Sequence, residues 1–403
     1  MTPVGLSFTD TGRLVTAGNR LLRLISGPRA VFTRSLFDSG LIGSLVDAGL
    51  LIESEIVEVA GLDADLVVEH RQIPHLTYPH EWCDEMLRDA ALLQLDLNLS
   101  LHRAGLVSGD AHPLNVVFDA TRPVFVDLGS IEERAELETE TEWHRMHQFD
   151  RSFRNPLRLM SAGHGRIARA LLQDYERGIE SSDVAALRAR RLLPRIRSRL
   201  RRQLRTDDYV SSLQSARNEL VALRFDASSD VDWPALTTEG LPQHLAQLRP
   251  GSVLVAAGGT SRGQAAVRAA IESGARVVAI ETNEPQARAL HQWARAQGSP
   301  LTVAITDLVS PSHDHSNRWF ALLATRLRCD LVIAPGIVSP LIVDGCVDPA
   351  VVAERLAMVA DAAVVFDSSD STVVFALTTS LETEGFAVDA LDSLWYIAHR
   401  TAS

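Results

Sequence analysis

The chain has 403 residues, of which 46% are hydrophobic and 22% are charged, a globular composition that excludes a disordered or fibrous architecture. No run of about 20 apolar residues could cross a bilayer, and the first residues lack the basic and apolar regions of a signal peptide. Three widely separated cysteines argue against a disulfide framework and a cysteine-ligated zinc site. We therefore expect a cytoplasmic protein with no membrane segment and no bound metal.

The charge of the chain limits its partners further. It has 39 basic and 51 acidic residues, a net charge of −12, and every basic residue is an arginine. An acidic protein gains little from displacing the counterions of a polyanion, so we expect no nucleic acid partner. Because lysine is absent, any mechanism that requires a lysine side chain is excluded.

Residues 1–209 are predicted to form an α+β region. Apolar residues around Gly18 predict a β-hairpin near the start, and apolar spacing predicts a long amphipathic helix from Asp84 to Ala104. Two short strands, Asn115 to Phe118 and Pro123 to Asp127, are expected to follow as a second hairpin. Helices and connectors complete the region.

After a linker, which we place at residues 210–248, strands and helices alternate as in a parallel α/β sheet. Residues 249–403 are therefore predicted to form a Rossmann-like α/β domain that ends with one helix and one C-terminal strand. The core strands are predicted in the apolar runs SVLVAAG, RVVAIE, LTVAITD, DLVIAP and AAVVFD, which begin at Ser252, Arg276, Leu301, Asp330 and Ala362.

Ligands of open parallel sheets bind beyond the carboxyl ends of the strands. Two glycines follow the first strand, so backbone N–H groups can approach a ligand closely there. Glu281, ending the second strand, can accept hydrogen bonds from ribose hydroxyls, and Asp307, after the third, can lie near an adenine amino group. The complete set of candidate cofactor-binding residues is Ala257, Gly258, Gly259, Thr260, Glu281, Thr282, Asp307, Leu308, Ala334 and Pro335.

Two other interpretations of this set stay open. The segment GGTSRG, from Gly258 to Gly263, lacks the G-x-G-x-x-G spacing of dinucleotide-binding folds, which makes NAD a weaker alternative. Glu281 and Asp307 can also be polar caps at the strand ends of any Rossmann-like domain, without a role in binding.

The order of these residues resembles class I S-adenosylmethionine-dependent methyltransferases, and the resemblance implies S-adenosylmethionine as the cofactor. Their first motif is an acid followed by alternating glycines, and the acid helps to orient the methionine end of the cofactor. Here Val255, Ala257 and Ser261 occupy the positions of the acid, the first glycine and the last glycine. No acid lies between Ala256 and Gln264, so a compensating group would come from elsewhere, such as the N-terminal region or the linker.

A second motif lies in the N-terminal region, where Asp110 and Asn115 precede a hairpin and Asp127-Leu128-Gly129 follows it. In kinase-like folds this order supplies a catalytic aspartate and two residues that bind Mg²⁺. The chain has no lysine for the nucleotide phosphates and no glycine-rich loop upstream. We therefore predict a degenerate protein-kinase-like domain in which these residues are structural, with phosphoryl transfer as the alternative.

Together the two halves resemble a bacterial family of class I methyltransferases that carry a kinase-like N-terminal region. The resemblance rests on the C-terminal α/β array and on YPHEW, GDAHPLNVVF, PVFVDLGSIEE and FRNPLRLM, which begin at Tyr78, Gly109, Pro123 and Phe153. It implies methyl transfer to a small metabolite in bacterial specialised metabolism. Two alternatives stay open, namely a catalytically degenerate module that supports a partner enzyme and a kinase-like phosphotransferase.

Two further segments have weaker functional interpretations. Residues 188–205 contain nine arginines, which can form a docking face for a carrier protein or another protein partner, or a solvated pair of amphipathic helices. His313-Asp314-His315 resembles part of a metal site but has no distant third ligand, so we expect an exposed loop there.

Overall fold

The computed structural model describes residues 2–3, 12–134, 142–174, 176–187, 208–225, 241–311 and 320–401. The arginine-rich segment 188–205 and the segment His313 to His315 lie outside the described residues, and their roles stay predictions. Within the described ranges, no helix is long and apolar enough to cross a membrane. In the same ranges, no group of three His, Cys, Asp or Glu side chains is arranged to hold a metal ion.

The N-terminal region begins with an antiparallel sheet. Its strands are β1 (Thr2–Pro3), β2 (Arg13–Ala17), β3 (Arg20–Ile25), β4 (Ser54–Ile56) and β5 (Leu66–His70), and two helices, α1 (Pro28–Asp38) and α2 (Leu41–Asp47), lie between β3 and β4 in the chain. The strand order is β1-β2-β3-β5-β4. Gly18 turns the chain between β2 and β3 with a φ of +62°, which confirms the predicted hairpin.

The long helix α3 (Asp84–Arg103) is central to the rest of the N-terminal region. Its buried side chains include Met86, Leu87, Ala90, Ala91, Leu93 and Leu97, and this spacing confirms the predicted amphipathic helix. Four strands follow, paired as β6 (Leu106–Ser108) with β9 (Ile131–Glu133) and as β7 (Val116–Asp119) with β8 (Arg122–Phe125). The later helices are α4 (Met146–Phe149), α5 (Asn155–Met160), α6 (Gly165–Leu171) and α7 (Ser181–Leu187). A further helix, α8 (Tyr209–Ala222), lies in the segment predicted as a linker and packs against α3.

The C-terminal part is built around a seven-stranded mixed sheet. Its strands are β10 (Ser252–Ala256), β11 (Arg276–Glu281), β12 (Leu301–Ile305), β13 (Cys329–Ala334), β14 (Ala360–Asp367), β15 (Phe386–Ala390) and β16 (Trp395–Arg400). The order is β12-β11-β10-β13-β14-β16-β15, in which the first five strands are parallel and β16 and β15 are antiparallel. The parallel α/β prediction is confirmed.

Six helices accompany this sheet in the described ranges: α9 (Leu241–Leu248), α10 (Ser261–Glu272), α11 (Glu284–Gln297), α12 (Leu323–Arg326), α13 (Pro349–Val359) and α14 (Ser371–Thr383). The end of the chain differs from the prediction of one helix and one strand. Gly385, with a φ of +83°, turns the chain after α14 into an additional strand, β15, which pairs with β16. This strand was missed because its sequence, FAVDA, has a single large apolar residue and lies at the sheet edge.

The two parts of the chain meet along α3 and the segment before it. Asp84, the first residue of α3, accepts a hydrogen bond from Arg288 Nε of α11 at 2.6 Å, and both side chains are buried. Glu81, within the YPHEW segment, forms a second buried pair with Arg326, in which Nη1 lies 2.8 Å from Oε2. This segment of the sequence is therefore part of the contact between the two parts.

Candidate functional site

The carboxyl ends of the parallel strands form one edge of the sheet, and the predicted cofactor residues lie along it. Ala256 of β10 is level with Ile280 of β11, and Glu281 is level with Ile305 of β12. The Gly258 N–H donates to the Ile280 carbonyl at 3.1 Å, which holds the loop after β10 against β11. Parallel order therefore brings the predicted residues of these three strands together, as expected for a ligand-binding edge.

Glycines allow the loop after β10 to approach its neighbours closely. A Cβ atom on Gly258 would lie 2.7 Å from a side chain of β11, and one on Gly259 would lie 2.7 Å from Glu281 Oε2. A Cβ atom on Gly263, in the first turn of α10, would collide with the Ala257 carbonyl. Gly263, which was not among the predicted residues, is thus needed for close packing of the helix on the loop.

Ala257 and Thr260 fix the shape of this loop. Ala257 has a φ of +52°, a left-handed conformation that costs an L-residue about 1–2 kcal/mol. Thr260 caps α10, because its Oγ1 accepts a hydrogen bond from the Gly263 N–H at 3.1 Å. The same hydroxyl donates to the Ala257 carbonyl at 2.8 Å, so the strained turn and the helix start are held together.

The carboxylate of Glu281 is buried and already accepts hydrogen bonds from the chain. Its Oε2 accepts from the Gly259 N–H at 2.9 Å, and its Oε1 accepts from the N–H groups of Thr282 and Asn283 at 2.8 and 2.9 Å. A carboxylate has about four acceptor positions, so one stays open to a ligand hydroxyl. The side chain assigned to ribose from the sequence also ties the loop after β10 to the end of β11.

The other predicted residues lie at the same edge but differ in exposure. Asp307 follows β12, and its Oδ1 accepts a hydrogen bond from the backbone N–H two residues later at 2.9 Å, which stabilises a turn. Thr282 is exposed, whereas the Leu308 side chain is buried in the apolar core and leaves only its backbone for a ligand. Ala334 and Pro335 are buried at the end of β13.

Two buried polar atoms at this edge have no hydrogen-bond partner in the part of the chain that the structure describes. They are Oε1 of Gln264, in the first turn of α10, and Oγ1 of Thr306, directly after β12. Gln264 uses its Nε2 to donate to the Gly259 carbonyl at 2.8 Å, which holds the amide beside the loop. Buried atoms without partners are costly, so this arrangement fits a ligand that carries hydroxyl or amino groups.

The structure brings to this edge two residues that the sequence analysis did not select. Asp367, which ends β14, accepts hydrogen bonds from the Gly336 N–H and from the Arg262 guanidinium of α10. A sequence signal was present, because the run AAVVFD ends in an acid just as RVVAIE ends at Glu281. Its meaning depended on the strand order, which places β14 two strands from β10.

The N-terminal motif residues are also brought together. Asn115 Nδ2 donates to Asp110 Oδ2 at 3.0 Å, and Gln148 Nε2 donates to Asp110 Oδ1 at 2.6 Å. The backbone N–H of His112 donates to the same Oδ1 at 3.0 Å. The carboxylate of Asp110 is therefore held by three donors from its own chain.

Asp127 lies close to this group and pairs with an arginine. Arg23 of β3 is buried, and its Nη2 lies 3.3 Å from Asp127 Oδ1. Burial raises the pKa of Asp127; Arg23 opposes this rise, and the charge of Asp110 adds to it. Burial, with the charge of Arg23 as a second cause, lowers the pKa of the neighbouring His70 to about 3, so its imidazole is neutral.

No protein-family model matches the chain. A curated relative is the nodulation protein NoeA of Rhizobium meliloti, which is 31% identical over 163 residues. The match covers 38% of this chain and 33% of NoeA, so it spans about a third of that relative's length.

Three solved structures illustrate the partial structural matches. A SAM-dependent O-methyltransferase from Thermotoga maritima is 12% identical, with a TM-score of 0.31 over 42% of this chain and 68% of that chain. A precorrin-6y C5,15-methyltransferase from Geobacter metallireducens is 14% identical, with a TM-score of 0.30 over 44% of this chain and 97% of that chain. An S-adenosylmethionine-dependent methyltransferase from Clostridium acetobutylicum is 8% identical, with a TM-score of 0.31 over 42% of this chain and 94% of that chain.

The fold of the C-terminal part follows from its own topology. Five parallel strands, with helices between them and an antiparallel pair appended beyond β14, form a Rossmann-like α/β sheet. This agrees with the fold predicted for residues 249–403, whereas the kinase-like assignment of the N-terminal region stays a prediction.

Proposed function

We propose that the chain is an S-adenosylmethionine-dependent methyltransferase that acts on a small-molecule acceptor. The observation that carries the proposal is the buried carboxylate of Glu281, which lies beside the glycine loop of β10 and keeps one acceptor position open. In Rossmann-like sheets, an acid at this position accepts a hydrogen bond from a ribose hydroxyl. The strand order β12-β11-β10-β13-β14-β16-β15 matches that of class I methyltransferases and supports the same assignment.

The cofactor would lie along the edge from Gly259 past Glu281 to Asp307. The unpartnered oxygens of Gln264 and Thr306 fit its hydroxyl and amino groups. When bound, the cofactor supplies an electrophilic methyl group on a sulfonium. The chain contributes binding and orientation, because holding the methyl group in line with a nucleophile accounts for much of the rate of such transfers.

The N-terminal region is, in this proposal, a kinase-like scaffold without phosphoryl transfer. Support comes from the helices between β3 and β4, and from Asp110 and Asn115 before the β7–β8 hairpin with Asp127 after it. Arg23 is on β3 of this chain, and in protein kinases the phosphate-binding lysine is on the third strand of the N-terminal sheet. A planar guanidinium does not reproduce the compact ammonium of that lysine, and here it pairs with Asp127.

Two departures from the first motif favour a second candidate function, a degenerate module that supports a partner enzyme. Val255 is apolar where the first motif of methyltransferases has an acid, and Ala257 holds a strained left-handed conformation where the motif has glycine. A domain that no longer binds the cofactor would tolerate both changes. Binding of S-adenosylhomocysteine separates the two candidates, because only the methyltransferase requires it.

Isothermal titration of the full chain with S-adenosylhomocysteine tests the proposal. Glu281→Ala is expected to weaken binding by about 1.5–3 kcal/mol, the range for a hydrogen bond to a charged group, which is roughly 10-fold to 100-fold. The control is Glu272→Ala, because Glu272 is exposed at the opposite end of α10 and should leave the affinity unchanged.

Three results would contradict parts of the proposal. Absence of S-adenosylhomocysteine binding to the unaltered chain would favour the supporting module. Unchanged affinity in Glu281→Ala, with the fold intact by circular dichroism, would remove Glu281 from the site. Binding of Mg-ATP in a parallel titration would contradict the scaffold role of the N-terminal region and favour the phosphotransferase.

A further inference from the structure

The ion pair between Asp367 and Arg262 combines a buried acid with an exposed base. The Asp367 side chain is 0% exposed, and its two oxygens accept from the Gly336 N–H and from the Arg262 guanidinium. The Arg262 side chain is 55% exposed. A carboxylate removed from water needs a cation beside it, whereas a largely exposed guanidinium can leave and be solvated at little cost. The pair is therefore built so that the cation can be exchanged.

This pair lies on the other side of β10 from Glu281. Val255 of β10 is level with Ile333 of β13, and Ala334 of β13 is level with Phe366 of β14, so the three strands end side by side. Arg262 starts from the first turn of α10 and reaches across the end of β13 to β14. The adenosine site proposed above and the ion pair thus lie on one continuous edge.

We propose that Asp367 and Arg262 together bind the α-amino-acid end of the cofactor, an inference that rests on the proposed function. The ligand ammonium takes the place of the guanidinium at Asp367. The released Arg262 then pairs with the ligand carboxylate, for which its planar donor fork is suited. One internal ion pair is exchanged for two with the zwitterion, so charge stays balanced. Asp367 supplies the acid that Val255 cannot, and it comes from the C-terminal sheet itself.

The test compares three ligands by isothermal titration on the full chain. S-adenosylhomocysteine carries the amino-acid end, its decarboxylated analogue keeps only the ammonium, and 5′-methylthioadenosine lacks both groups. Asp367→Asn keeps an oxygen for the Gly336 N–H but loses the charge. It is expected to weaken S-adenosylhomocysteine at least ~10-fold, as loss of a charged hydrogen bond predicts, and to leave 5′-methylthioadenosine unchanged.

Arg262→Met tests the carboxylate contact separately. The ratio of the S-adenosylhomocysteine affinity to that of the decarboxylated analogue is expected to fall at least ~10-fold, because only the first ligand has a carboxylate to lose. The matched control is Arg268→Met on the same helix, where the guanidinium lies over the Trp293 ring and away from Asp367. That variant should leave the ratio unchanged. Thermal melting of each variant checks that the fold is intact.

The outcomes separate this inference from the function on which it rests. If no adenosine ligand binds the unaltered chain, the proposed function fails. If 5′-methylthioadenosine and S-adenosylhomocysteine bind equally well and Asp367→Asn changes neither, the adenosine site stands and the inference is overturned. Free methionine is titrated as a fourth ligand. If it binds as tightly as S-adenosylhomocysteine, the site is one for free amino acids, which also overturns the assignment to the cofactor.

Discussion

Two of the arginine–carboxylate pairs in the described residues share the same chemistry but lie in different surroundings. At the contact between the two parts of the chain, the side chains of Asp84 and Arg288 are 2% and 8% exposed. At the carboxyl edge of the sheet, Asp367 is equally buried, but Arg262 is 55% exposed. In both pairs the acid depends on its arginine, yet only Arg262 can leave without becoming a buried charge.

Burial of the cation therefore separates a structural pair from an exchangeable one. Burial raises the pKa of Asp84, and Arg288 opposes this rise. Such a pair adds little net stability but is costly to break from one side. A pair with an exposed cation can be opened by a ligand that brings its own cation. Four predictions are given from the largest expected effect to the smallest, and the first tests this contrast directly.

Asp84→Asn is expected to lower the free energy of unfolding by about 3–5 kcal/mol, because the buried guanidinium of Arg288 would lose the charge of Asp84. Urea unfolding measures this loss. The double variant Asp84→Leu, Arg288→Met removes both charges and should recover most of the stability. As a control, Asp96→Asn breaks a half-exposed pair with Arg217 and should cost no more than about 1 kcal/mol. Equal losses at the two sites would contradict the contrast.

His70 differs from these carboxylates, because the neighbouring charge, that of Arg23, has the same sign as a protonated imidazole. Its Nε2 lies 3.4 Å from Arg23 Nε and its Nδ1 lies 2.8 Å from Ser54 Oγ, within the buried face of β5. Burial and Arg23 lower its pKa from 6.5 to about 3. Above pH 6.5 the imidazole is neutral in both the folded and the unfolded chain, so it causes no pH dependence there.

Between pH 6.5 and about 3 the unfolded chain takes up a proton at His70 that the folded chain does not. The free energy of unfolding should therefore fall by about 1.4 kcal/mol per pH unit as the pH is lowered through this window. Urea unfolding of the unaltered chain and of His70→Gln from pH 7.5 to 4.5 measures the effect as the difference between the two slopes. Parallel slopes would mean that His70 is protonated in the folded chain.

Ala257→Gly is expected to raise the free energy of unfolding by roughly 0.5–1 kcal/mol. The substitution relieves the left-handed conformation at a φ of +52°, and part of that gain is offset by the larger freedom of glycine in the unfolded chain. The matched control is Ala256→Gly, in the extended backbone of β10, which should lower stability by about 0.5–1 kcal/mol. Changes of the same sign in both variants would show that the loop after β10 is unstrained.

Asp110→Asn is expected to have the smallest effect. Its carboxylate is held by Asn115, Gln148 and a backbone N–H, and this network fits a structural role rather than a catalytic one. Methyl transfer should stay within about a few-fold of the unaltered rate, whereas loss of a catalytic base typically costs about 10²–10⁴-fold. A loss of rate of about 10²–10⁴-fold, with the melting temperature preserved, would assign Asp110 a catalytic role.

The sequence by itself predicted the features that depend on near neighbours in the chain. The helix from Asp84 and the parallel strand–helix alternation follow from local apolar spacing, which the backbone geometry converts directly into buried faces. Glu281 was found because an acid at the end of an apolar run marks the edge of a parallel sheet. The strand β15 was missed because an edge strand of small and acidic residues has little such pattern.

Tertiary structure decided which charges meet. Arg262 and Asp367 are 105 positions apart, and Asp84 and Arg288 are 204 apart, so no local pattern could pair them. The sequence could not show that backbone N–H groups already bind Glu281, or that Asp367 meets Arg262 at the same edge of the sheet. Strand order and burial determine both results, because a carboxylate's role depends on the donors that surround it and on the exposure of the cation that balances it.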